Sequence, residues 1–105
     1  MYSLVINAPK QQVGKNNKKS FKDILHTGVG QGYALNKSIL EKIQIGCKVI
    51  VLSKDQKLRA EGTLTELIPT EMTNNHIQRF DVQIENLKNV QYKSEDLNRN
   101  GVNAI

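Results

Sequence analysis

The sequence predicts an α+β domain: a small curved β-barrel, or a strongly bent sheet, plugged by one or two short helices. Three observations predict it. The chain has 105 residues, which fits one domain and excludes most folds of two. Its apolar residues fall in four or five short runs that alternate or are β-branched, separated by turn residues. Only two stretches carry helical spacing, and both are short. At 38% hydrophobic and 24% charged, the chain is polar for a globular protein without reaching the composition of disorder.

Tyr2 to Asn7 reads as the first strand, with Leu4 and Ile6 on one face and Val5 on the other. Pro9 ends it, having no N–H for a ladder. Residues 10–20, KQQVGKNNKKS, hold one apolar side chain, Val13. Burial there cannot offset the ordering entropy, so a mobile basic loop is expected. Phe21, Ile24 and Leu25 have i, i+3, i+4 spacing, which predicts one helical turn over Phe21 to His26. Thr27 to Gly32, TGVGQG, reads as a glycine loop. Asn36 to Ile45 is the clearest helix, with a Ser38–Glu41 capping-box spacing, a stripe of Ile39, Leu40 and Ile43, and Gly46 as terminator.

Lys48 to Ser53, KVIVLS, has the pattern of a central strand buried on both faces. Residues 54–57 make a hairpin connection to a strand from Leu58 to Ile68, in which Gly62 marks a bulge or close contact and which Pro69 stops. Thr70 to Asn75 is read as a loop. His76 to Glu85 alternates, with Phe80, Val82 and Ile84 inward, and Val90 to Tyr92 makes a further short strand. The Asn-rich segment 94–105 is read as a flexible or partner-docked tail.

Charge is the most informative functional signal. The net charge is +5, but residues 1–60 carry eleven Lys/Arg against three Asp/Glu, and residues 61–105 carry four against seven. That polarity predicts an N-terminal half facing a polyanion, the plain alternative being a solvated basic surface. Lys10, Lys15, Lys18, Lys19 and Lys22 all precede the first acidic residue, Asp23. Among them, Lys15, Lys18, Lys19 and Lys22 are the candidate phosphate contacts. Gly28, Gly30 and Gly32 would let a backbone approach a phosphate or base edge. His26 and Gln31 are candidate hydrogen-bonding groups, and Tyr33 is the candidate stacking residue.

Catalysis is not expected. His26 and His76 sit in no nucleophile-elbow or H-E-x-x-H pattern, and the G-x-G-x-G run is neither a Walker loop nor a G-x-G-x-x-G. No cofactor or metal is expected, because one cysteine and two histidines have no ligand spacing. Cys47 reads as a small packed side chain. A single cysteine, an apolar content without a membrane-length run and an opening without a basic n-region predict a cytoplasmic protein with no membrane partner.

One pattern resembles a known family. Leu40-x-x-Ile43-x-x-Gly46-Cys47-Lys48-Val49-Ile50-Val51-Leu52, followed after a turn by Ala60-Glu61-Gly62-Thr63-Leu64, is similar to the helix–strand–strand run of the PUA-like superfamily, in its EVE and YTH-type branches. The resemblance covers residues 33–68, and Tyr2 to Asn7 more weakly. Cys47 stands where the pattern has Asp, aromatic residues are few, and tryptophan is absent. The resemblance implies a pseudobarrel of five or six strands with short helices, and a role in reading RNA or modified DNA within a larger system. It also implies a ligand between the segment after the first strand and the loops before the helix, here Lys10 to Lys22 and Thr27 to Tyr33. The expected function is therefore nucleic-acid binding, including a modified base, as a specificity or accessory component. The alternative is a protein-interaction module, an accessory subunit or anti-defence inhibitor whose basic face docks an acidic partner.

Overall fold

The computed structural model describes residues 1–8 and 20–105. The predicted loop at residues 10–20 falls outside that range except for Ser20. The order of elements is β1 (Leu4–Asn7), α1 (Phe21–Thr27), β2 (Val29–Ala34), α2 (Lys37–Lys42), β3 (Lys48–Ser53), β4 (Leu58–Met72), β5 (Gln78–Val90) and β6 (Val102–Ala104). The strands form one sheet in the order β2-β5-β4-β3-β1-β6. Among the described residues, only β1 and β3 pair in parallel, and α1 and α2 lie between them in the chain.

The sheet curls into a half-barrel because β4 and β5 are long and bulged. Their ladder shifts register at Glu61/Thr63, Leu64/Glu66 and Pro69/Met72, and each shift bends the pair. Gly62 sits at the first shift, where an added Cβ would lie 2.6 Å from Ile84 Cγ2. One half of the hairpin pairs with β3, and the other half pairs with β2. The bend carries β2 back toward β1, where the Tyr33 hydroxyl donates to the Asn7 carbonyl at 2.9 Å.

The inner face holds the main core. Leu4, Ile6, Val49, Val51, Leu64, Val82 and Ile84 meet there with Phe21 and Ile24 of α1 and Ile39 of α2. The helices thus plug the curl, as the sequence predicts. Each is too short to persist alone and is held by this packing. The outer face has its own small core of Val5, Ile50 and Leu52, packed against Tyr92 and Leu97. Leu4 and Ile6 do face one side and Val5 the other, and β3 is buried from Val49 to Ser53.

Several boundaries differ from expectation, each for a physical reason. Thr27 to Gly32 is not a loop: Gly28 ends α1, and residues 29–34 are a strand whose Tyr33 pairs with Phe80. The capping box lies at Ser20–Asp23, not Ser38–Glu41. Helix α2 is capped by Asn36, whose Oδ1 accepts from Ile39 N at 2.9 Å, and it ends at Ile43 before reaching Gly46. Pro69 does not stop β4. Beyond Thr63 the strand has no β3 partner, so a missing N–H on that edge costs no ladder bond. Val90 belongs to the same long strand as Val82, and Tyr92 follows that strand. Residues 102–104 pair antiparallel with β1 as β6, and Val102 is completely buried, so the predicted tail ends as an edge strand.

Candidate functional site

The predicted site residues separate into three groups. Lys15, Lys18 and Lys19 lie outside the described residues. Lys22 and His26 are both exposed on α1, and their i, i+4 spacing puts them on one face of it. Gly28, Gly30, Gln31, Gly32 and Tyr33 line the edge strand β2 and the turn into it.

Internal packing uses most of this third group. Gly28 has φ +73°, and an added Cβ would lie 2.6 Å from the Ile84 carbonyl oxygen, so both its conformation and its space require glycine. Gly30 is buried where β2 meets Ile6 and the Tyr33 ring. Tyr33, the candidate stacking residue, faces inward. Its ring belongs to the inner core, with 7% exposure, and burial pushes its hydroxyl pKa up. Its hydrogen bond to Asn7 links β2 to the end of β1 across the half-barrel.

Gly32 and Gln31 sit where the β2–β5 register shifts. The Gly32 N–H donates to Asp81 Oδ1 at 3.0 Å, and Arg79 Nη1 donates to the Gly32 carbonyl at 2.6 Å. Both backbone groups are therefore committed to the fold. Gln31 remains half-exposed at this bulge. Asn7 Oδ1 lies buried and has no hydrogen-bond partner among the described residues.

The outer face carries a charged cluster centred on Arg59. Arg59 is 7% exposed. Its Nε donates to Glu61 at 2.9 Å, and its Nη1 donates to Glu95 and to the Lys93 carbonyl, each at 2.8 Å. Lys48 approaches Glu61 at 3.4 Å. Burial works against the Arg59 charge, but the hydrogen bonds to Glu95 and Glu61 outweigh it and raise the guanidinium pKa. Burial likewise opposes ionisation of Glu61, and the Arg59 hydrogen bond with the Lys48 charge outweighs that, holding its carboxyl below the ordinary range. This clamp fastens residues 91–101 over the outer face. Asn103 Nδ2 adds a second fastening, donating to the Asp96 carbonyl at 2.9 Å.

Some acidic groups have partners within the fold, while Glu66, Glu71, Glu85 and Asp96 are exposed. Glu61 and Glu95 hold Arg59, Asp81 holds a backbone N–H, Asp23 caps α1, and Glu41 lies 4.0 Å from Lys37. Lys22, Lys42, Lys54, Lys57, Lys88 and Lys93 are all exposed. Lys54 and Lys57 hold a place that sequence reading missed. Ala8 N donates to the Leu52 carbonyl at 2.7 Å, so the chain leaves β1 toward residues 9–19 directly beside the turn at 54–57. The signal was the parallel pairing of β1 with β3, which is invisible to periodicity.

Among the described residues, no three His, Cys, Asp or Glu side chains gather as a metal site, and no helix is long and apolar enough to cross a membrane. Cys47 is free and fully buried. No protein-family model, curated protein or solved structure matches the chain.

Proposed function

We propose that the chain is a nucleic-acid-binding module acting as a specificity or accessory component. One observation carries the reading: charge is sorted by position. Glu61 and Glu95 are tied to Arg59, Asp81 to a backbone amide and Asp23 to a helix cap, while exposed Lys54 and Lys57, with Asp55 between them, lie beside the end of β1, from which the sequence runs on to Lys10, Lys15, Lys18 and Lys19. An edge of this kind attracts phosphates and releases their counterions on contact. Lys22 adds an exposed cation on α1, and His26 an exposed hydrogen-bonding ring one turn along. The curled barrel with helical plugs and the resemblance of residues 33–68 to the PUA-like superfamily support the same reading.

Fluorescence anisotropy with labelled single- and double-stranded DNA and RNA tests it, at about 50 and 200 mM salt where phosphate contacts show. Binding to at least one of the four that weakens steeply with salt is expected. Absence of binding to all four at the lower salt overturns the reading and turns the search toward an acidic protein partner.

A further inference from the structure

A cleft of about 420 Å³ lies between the tip of the β4–β5 hairpin and the turn that precedes β6. Asn74 and Asn75 of the hairpin tip and Asn100 of the turn, all exposed, line it together with Arg79. The three asparagine side chains make no hydrogen bond among the described residues, while the backbone around them is fixed. Asn98 Oδ1 accepts from Asn100 N at 2.8 Å and from Val102 N at 3.3 Å. Thr73 Oγ1 accepts from Ile77 N at 3.0 Å, which shapes the hairpin tip. Arg79 is anchored by its bond to Gly32. Uncommitted amides on a braced frame are poised for a ligand, because they lose little backbone freedom on binding.

The lining chemistry selects the class of ligand. An amide offers a donor and an acceptor side by side, which matches the edge of a nucleobase and pairs bidentately with adenine. Met72 is 56% exposed and lines the same cleft, so its thioether can lie against an aromatic face. Glu71 lines it too, and its charge disfavours a phosphate there.

We propose that this cleft receives one unpaired nucleobase, adenine by preference, with Asn75 and Asn100 reading its edge and Met72 against its face. The proposal rests on the nucleic-acid reading above and assigns base selection to a place distinct from the lysine edge. It also assigns stacking to a residue other than Tyr33, whose ring is buried.

The test is anisotropy of labelled ten-nucleotide DNA strands of A, C or T, with wild type, Asn100→Ala, Asn75→Ala and Met72→Ala. None of these substitutions removes a side-chain hydrogen bond of the fold, and circular dichroism checks each variant. Wild type is expected to prefer the A strand, with Asn100→Ala reducing that preference about tenfold and leaving the salt dependence unchanged. Equal salt-sensitive affinity for A, C and T, or a preference that survives all three substitutions, overturns the cleft proposal while sparing the nucleic-acid reading. Failure of wild type to bind any strand overturns the cleft proposal, while the nucleic-acid reading falls only if duplex DNA and both forms of RNA fail as well.

Discussion

Arg59 is the residue on which the outer face depends. It joins two carboxylates and a backbone carbonyl with one rigid fork, a geometry that lysine cannot copy. Removing it leaves Glu95 partly buried without its partner and Glu61 with Lys48 alone. Arg59→Met is expected to cost about 2 kcal/mol, below the value for a fully dry pair because both carboxylates keep some water. Arg59→Lys should recover only part of that loss, as urea unfolding would show. Glu61 adds a pH signature. Its folded pKa is lowered, so its contribution is complete above the ordinary 4.5 and is lost as the pH falls through the folded value. Glu61→Gln should therefore lower the urea midpoint at neutral pH, and the gap from wild type should close in acid. The glycines allow a paired comparison. Gly28→Ala meets a carbonyl oxygen at 2.6 Å as well as an unfavourable φ of +73°, whereas Gly32→Ala at φ +71° meets open space. The first should cost about 2–3 kcal/mol and the second about 1 kcal/mol by thermal or urea unfolding.

At the level of elements, the parts set by local periodicity were legible in the sequence. The alternation in Arg79 to Glu85, the β-branched run of β3 and the spacing of Phe21, Ile24 and Leu25 each led to the correct element. What failed were features settled by partners distant in sequence. Gly30 and Tyr33 became strand because β5 supplies a ladder, and Pro69 was tolerated because β4 has lost its β3 neighbour there. Residues 102–104 became strand because β1 has an open edge, which no pattern in an Asn-rich segment could disclose. The same limit hid much of the candidate site. The lysine richness was plain, but the proximity of residues 54–57 to the exit of β1, and the meeting of Asn100 with the hairpin tip, come only from topology. The segment 91–104 acts as a strap across the outer face. Val102→Asp puts a charge at a fully buried position and should release it. Hydrogen exchange should then accelerate at residues 4–7 of β1 and over Ile50 to Leu52, while amides in the β4–β5 hairpin beyond Leu64 stay protected.

Across the whole molecule, the fold separates tasks that the linear sequence mixes. The inner face of the curl is apolar and filled by helices, and the outer face is sealed by a charged clamp and the strap. The turn at 54–57, with Lys54, Asp55 and Lys57 exposed, lies beside the end of β1 at Ala8. The direct test of this arrangement is the slope of log affinity against log salt for a labelled oligonucleotide, measured for wild type and for Lys54→Ala/Lys57→Ala. Each phosphate contact contributes about 0.9 to the slope on duplex DNA and about 0.7 on a single strand. The account predicts a steep wild-type line and a shallower one for the double variant, by about 1.4–1.8 in slope. A flat wild-type line, or identical lines for the two proteins, would contradict it.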